Sequence, residues 1–156
     1  MKYWLFKSEP DEFSIHDLKA RGKKGESWDG VRNYQARNFM RDDMKKGDIA
    51  LFYHSNCDET GIVGVGEISR ESHPDHTAWD PKDKHFDPKT DKDNPRWFMI
   101  AMTHKETFPR TVTLAEVKAD PKLSEMRIAQ RGNRLSITPV TKAEFDHICK
   151  LAKKKV

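Results

Sequence analysis

The chain has 156 residues, enough to bury one hydrophobic core and short for two, so a single domain over 1–156 is expected. Hydrophobic and charged residues each make up 35%, and 29 Lys and Arg stand against 25 Asp and Glu for a net charge of +4; this suits a compact interior under a charged surface and excludes a protein held to nucleic acid mainly by a dense basic face. No apolar run reaches the length of a membrane span, residues 1–6 are too short for a signal peptide, and Cys57 and Cys149 match no zinc spacing, so the expectation is a cytoplasmic chain of bacterial type, monomeric by default, with reduced thiols and no cofactor.

The first strand is expected over 2–7. It runs into Lys7-Ser8-Glu9-Pro10, where a hydroxyl and a carboxylate stand at the strand's rim, placed either to bond a ligand edge or simply to turn the chain toward a helix. That helix begins at Phe13-Ser14…Asp17-Leu18: a capping residue, an acid three positions on, and apolar residues flanking as a staple.

Next comes Trp28-Asp29-Gly30-Val31-Arg32-Asn33-Tyr34-Gln35-Ala36-Arg37-Asn38. A large ring among glycine, aspartate and amides describes a loop wall, and such rings beside arginine and asparagine suit a planar, polar-edged ligand such as a nucleobase. A helix is expected over 33–45, with Ala36, Met40 and Met44 at four-residue spacing and Arg37 and Arg41 as a polar stripe. Its N-terminus is a place where a phosphate could meet Arg32 or Arg37; the plainer alternative is a helix cap with surface arginines.

A second strand, Ile49–His54, is apolar on both alternating faces, which implies a curved or closed sheet covered on both sides. After it, His54 and Cys57 lie three apart with no orienting acid, so a thiol nucleophile is not supported, while Ser55 and Asn56 can offer hydrogen bonds to a base edge. The third strand, 62–68, carries Gly64 and Gly66 on one face, the mark of a bend or a close backbone approach. Residues 72–96 hold many charges and prolines and read as a long loop; Trp79 sits within it on another loop wall, and His73, His76, His85 and Asp87 lack the spacing of a metal site on a rigid element. Trp97 opens a fourth strand over 97–107 and is expected to face Trp28 across a pocket. Thr113 with Glu116 and Thr141 with Glu144 repeat the helix-start pattern. Between them Arg131-Gly132-Asn133-Arg134-Leu135-Ser136 forms a basic, hydroxyl-bearing loop before a short strand over 135–140. The economical architecture is α+β: a small, strongly bent mixed β-barrel with surrounding helices.

These pieces resemble the EVE domain family: Lys7-Ser8-Glu9-Pro10, the Trp28–Asn38 run, Phe52-Tyr53-His54-Ser55-Asn56-Cys57, Gly61-Ile62-Val63-Gly64, Thr77-Ala78-Trp79-Asp80, Asn94-Pro95-Arg96-Trp97 and Arg134-Leu135-Ser136 follow its order nearly end to end. The resemblance implies a PUA-like pseudo-barrel and a non-catalytic reader of nucleic acid carrying a modified base, a modified cytosine in DNA or a modified base in RNA. It implies Trp28, Trp79 and Trp97 as cage walls, with polar contacts from Ser8, Asn33, Ser55, Asn56, Arg134 and Ser136. Glu9, Tyr34 and Leu135 complete the expected pocket, with Arg32, Arg37 and Arg131 on phosphates and no metal.

Extracting a base from a duplex costs a few kcal/mol, whereas stacking on aromatic rings contributes about 1–3 kcal/mol per base, so a cage of more than one ring is expected. The small net charge implies a shallow salt dependence. Two other classes fit less well: a small hydrolase or metal-dependent enzyme lacks a nucleophile-base-acid set, and a peptide or methyl-lysine module would want acidic company around its rings in place of arginine.

Overall fold

The computed structural model describes residues 1–90, 95–132 and 135–153. Six strands form one mixed sheet: β1 (Tyr3–Ser8), β2 (Glu26–Ser27), β3 (Ile49–His54), β4 (Gly61–Pro74), β5 (Phe98–Thr113) and β6 (Ile137–Val140), in the spatial order β2-β5-β4-β3-β1-β6. β1 runs parallel to β3 and antiparallel to β6, and the remaining pairs are antiparallel.

The apolar patterning of the central strands explains the layering. Along β3, Leu51 and Tyr53 enter one buried cluster while Ala50 and Phe52 enter another on the opposite face; β1 divides its residues likewise, Leu5 to the first and Trp4 and Phe6 to the second. The first cluster is closed by α3 (Leu114–Ala119) and α4 (Lys142–Lys153), through Val117, Ile148 and Leu151. The second is closed by α1 (Ile15–Ala20) and α2 (Tyr34–Asn38), through Ile15, Leu18 and Ala36. Coverage on both sides is therefore as expected.

The sheet bends along β4 and β5, whose pairing shifts register at several points, one beside Gly64 and one beside Gly66. A Cβ on Gly64 would run into the Glu106 carbonyl and come within 3.0 Å of the Ile15 side chain, so glycine here lets β5 and α1 approach the backbone. β2 and β6 occupy the two edges, leaving the sheet open.

All three helix starts form. Ser14 and Asp17 exchange both bonds of a capping box, as do Thr141 and Glu144, at 2.9 and 3.1 Å, and Thr113 accepts the Glu116 N–H at 3.2 Å. The helix expected over 33–45 is shorter: α2 ends at Asn38 and continues as a π turn over Phe39–Asp43, with Met44 already extended. The Met44 N–H reaches the Phe39 carbonyl five residues back, at 2.9 Å, and this wider turn keeps Ala36, Met40 and Met44 all buried. Residues 72–74 still belong to β4, and His76–Trp79 form a 3-10 turn.

Candidate functional site

A cleft of about 920 Å³ opens where the end of β1 meets the segment after β2 and the loop that follows the 3-10 turn. Trp28 stands in its wall. The Trp28 N–H bonds the Ile100 carbonyl at 2.7 Å, and the indole is set edge-on to Phe6, Phe13 and Phe52 at centroid distances of 5.4, 6.1 and 5.8 Å. Three nearly perpendicular rings fix its orientation. Ser8, Glu9, Ser55 and Ser136 line the same cleft. Their backbones are tied together: Ser55 N–H donates to the Ser8 carbonyl at 3.0 Å and Lys7 N–H to the Ser136 carbonyl at 2.8 Å. The Ser8 hydroxyl donates to the Phe13 carbonyl at 2.6 Å.

The expected pairing of Trp28 with Trp97 is corrected. Trp97 does not line the cleft; it is 6% exposed, its indole N–H donates to Asp87 at 2.6 Å, and it stacks on Tyr34 at 4.9 Å and 21°. Arg32 caps this pair on the Trp97 side at 5.3 Å and Arg37 on the Tyr34 side at 4.8 Å. The result is a pair of stacked rings, each with a guanidinium over it, and through the Trp97 bond to Asp87 it ties the 75–90 loop to α2. Its indole N–H also holds the Asp87 carboxyl below the usual carboxylate range. Trp79, half-buried in its 3-10 turn, lies outside the cleft lining as well.

The other expected contacts are dispersed. Asn33 caps α2 by accepting the Ala36 N–H at 3.0 Å, and Asn56, exposed and in a left-handed conformation at φ 52, donates to Glu9 at 3.2 Å without itself lining the cleft. Leu135 is half-buried and Tyr34 exposed, and neither lines the cleft. Arg134 lies outside the described residues.

The arginines expected on phosphates have other work. Arg32 donates to the His85 carbonyl at 2.6 and 3.1 Å, to the Val31 carbonyl at 3.1 Å and to Asp75 at 3.0 Å. Arg37 bonds Asn38 and, at 2.9 Å, the Arg96 carbonyl; burial first, then Arg41, lowers its pKa. Arg131 is exposed on a turn and does not line the cleft. With only five residues, α2 lacks the length for a strong terminal dipole, so it offers no anion site of its own.

Asp75 is the anchor of this region. Its carboxylate accepts from Gly30 N–H at 2.8 Å, Arg32 at 3.0 Å, Thr77 N–H at 2.9 Å and the Thr77 hydroxyl at 2.5 Å. Burial alone would push its pKa up, but the bonds from Thr77, Gly30 and Arg32 outweigh burial and hold it below the ordinary value. Gly30 has φ +75, and any side chain there would strike the His85 imidazole, so glycine is what lets His85 close one side of the cleft. His85, Phe13, Asp29, Lys82 and Lys84 are cleft residues that sequence reasoning missed. Two of them carried a signal: Phe13, as the staple residue before the Ser14 cap, and Asp29, in the run that begins at Trp28. Burial, reinforced by the nearby Asp75 charge, pushes the Asp29 carboxyl up.

His54 Nε2 accepts the Ile15 N–H at 3.1 Å, and burial, then the neighbouring His16, lowers its pKa, which makes it a structural acceptor for α1. Cys57 and Cys149 are both free thiols. Among the described residues no group of three His, Cys, Asp or Glu side chains is placed to hold a metal ion, and no helix is long and apolar enough to cross a membrane.

The EVE domain model matches residues 2–151 of this chain. Human thymocyte nuclear protein 1 is 44% identical over 97% of this chain and 74% of its own length. Among solved structures, the human THYN1 protein in complex with 5-methylcytosine-containing DNA superposes with a TM-score of 0.93 at 43% identity, covering 100% of both chains. A Pseudomonas syringae protein superposes with a TM-score of 0.91 at 43% identity over 96% of this chain and 99% of that one.

Proposed function

This chain belongs to the EVE domain family, and from that membership we propose that it is a non-catalytic reader of modified DNA that takes a modified cytosine into the Trp28 cleft. Its fold is the PUA-like pseudo-barrel, an open bent sheet with helices on both faces. The observation that carries the reading is the end-to-end likeness to a relative solved with 5-methylcytosine DNA, together with a cleft walled by an indole and lined by four serines, Ser8, Ser27, Ser55 and Ser136.

The cleft's chemistry suits the task. Trp28 offers a stacking surface held rigid by its three aromatic neighbours. Ser55 and Ser136 supply donors and acceptors for a base edge, and the Ser8 oxygen and the carboxyls of Glu9 and Asp29 supply acceptors. One ring contributes about 1–3 kcal/mol of stacking and does not by itself offset extraction of a base, so edge hydrogen bonds and backbone contacts must provide the rest. A buried methyl adds about 0.8 kcal/mol, or about fourfold in affinity.

The test is equilibrium titration of duplexes with one 5-methylcytosine, one 5-hydroxymethylcytosine or one cytosine against wild type and Trp28→Phe. Preference for a modified duplex by wild type, reduced in the variant, supports the reading; indistinguishable affinities for all three duplexes overturn it.

A further inference from the structure

The cleft carries the carboxyls of Glu9, Glu12, Glu26, Asp29 and Asp83. An extracted nucleotide stays tethered by the phosphates on its two sides, so those phosphates must come to the mouth of this acid-rich hollow, where uncompensated like charge would repel them. Arg32 and Arg37 are spent on carbonyls, Asp75 and Asn38, and Arg21 is paired with Glu26 at 3.3 Å. Lys7 also lines the cleft but is half-buried within β1, so the solvent-facing cations come from elsewhere on the rim.

Two segments supply them. The 3-10 turn Gly22–Lys24 lies between Arg21 and Glu26, both cleft residues, and carries Lys23 and Lys24, both exposed. The loop after the 3-10 turn His76–Trp79 presents Lys82 and Lys84, which line the cleft and are exposed. None of these lysines has an ion-pair partner among the described residues. The second segment is held in shape: Lys82 N–H bonds Asp80 at 2.9 Å, His85 N–H bonds Asp83 at 2.8 Å, and Arg32 clamps the His85 carbonyl. Unpaired cations on anchored turns beside an acidic hollow suit a polyanionic backbone, because they lose little freedom on engaging it and neutralise charge at the hollow's edge.

We propose that Lys23 with Lys24, and Lys82 with Lys84, form a clasp for the phosphates flanking the base that enters the cleft. The clasp rests on the reading of the cleft as a base site. It assigns backbone contacts to these two turns in place of Arg32, Arg37 and Arg131.

The test is the salt dependence of binding to a duplex with one 5-methylcytosine and to its unmodified counterpart. Wild type is compared with Lys23→Gln/Lys24→Gln, with Lys82→Gln/Lys84→Gln, and with Lys118→Gln/Lys122→Gln, whose exposed lysines stand at α3 and the turn after it. Each phosphate contact contributes about 0.9 to the slope of log affinity against log salt. Each clasp variant should flatten that slope by about 1–2, with the ratio of modified to unmodified affinity kept and the control matching wild type. Unchanged slopes in both clasp variants, with the base preference intact, overturn the clasp alone. A wild type that binds both duplexes alike overturns the reading of the cleft, and the clasp with it.

Discussion

Arg32 Nη1 lies 3.0 Å from the Asp75 carboxylate, whose side chain has no exposed surface. This pair joins the segment after Trp28 to the loop that carries His85, so one wall of the cleft is positioned by a contact between residues 43 apart in sequence.

Removing one side of the pair should loosen that wall. Asp75→Ala leaves the Gly30 N–H and the Arg32 guanidinium without their acceptor, and breaking a buried pair costs about 3–5 kcal/mol. The loss here should fall toward the low end, because the Arg32 side chain keeps 24% exposure. Urea melts of wild type and variant measure it; an unchanged midpoint contradicts the anchoring role.

The same carboxyl sets a direction with pH. Its folded pKa is below the unfolded one, so its contribution is full above about pH 4 and is lost as pH falls through the folded value. Asp75→Asn should lie below wild type in melting temperature at neutral pH and converge on it in acid. Parallel curves over the whole acid range would contradict the assignment.

Trp97 and Trp28 should respond differently to substitution. Trp97→Ala removes a ring that is 6% exposed and should cost about 3–5 kcal/mol of stability. Trp97→Phe keeps the stack on Tyr34 but drops the bond to Asp87, so it should fold with a smaller loss and keep its preference for modified DNA. Thermal melts paired with duplex titrations separate the two roles; a Trp97→Phe protein that is fully stable yet blind to modification would put Trp97 at the base.

Gly30→Ala should be costly for its size. A left-handed φ disfavours any side chain by about 1–3 kcal/mol, and the added methyl meets the His85 ring. Lower stability together with weaker binding of the 5-methylcytosine duplex is expected. Wild-type values for both would show that His85 can move aside freely.

The division between what could and could not be read from sequence follows interaction range. Ser14 with Asp17, Thr113 with Glu116 and Thr141 with Glu144 are pairs three residues apart, and local spacing suffices to place them. The two-sided apolar pattern of Ile49–His54 likewise revealed a strand buried on both faces. β2 has two residues, too few for any alternation, and the π turn at Phe39–Asp43 buries the same residues that a plain helix would, so periodicity cannot tell them apart. Trp28 and Trp97 look alike locally, each an indole beside turn residues and an arginine. Their fates differ because Asp87 and Tyr34 capture one while Phe6, Phe13 and Phe52 prop the other open to the cleft, and those partners come from distant parts of the chain.

The central claim is that Trp28 forms the stacking wall for a modified base, and it can be isolated from duplex opening and backbone contacts by using the free nucleoside. Titration of 5-methyl-2′-deoxycytidine against wild type, followed by tryptophan fluorescence, should give saturable quenching that is lost in Trp28→Phe while the variant's melting curve shows it folded. Quenching of equal depth and midpoint in the two proteins would place the nucleoside at another tryptophan and contradict the account.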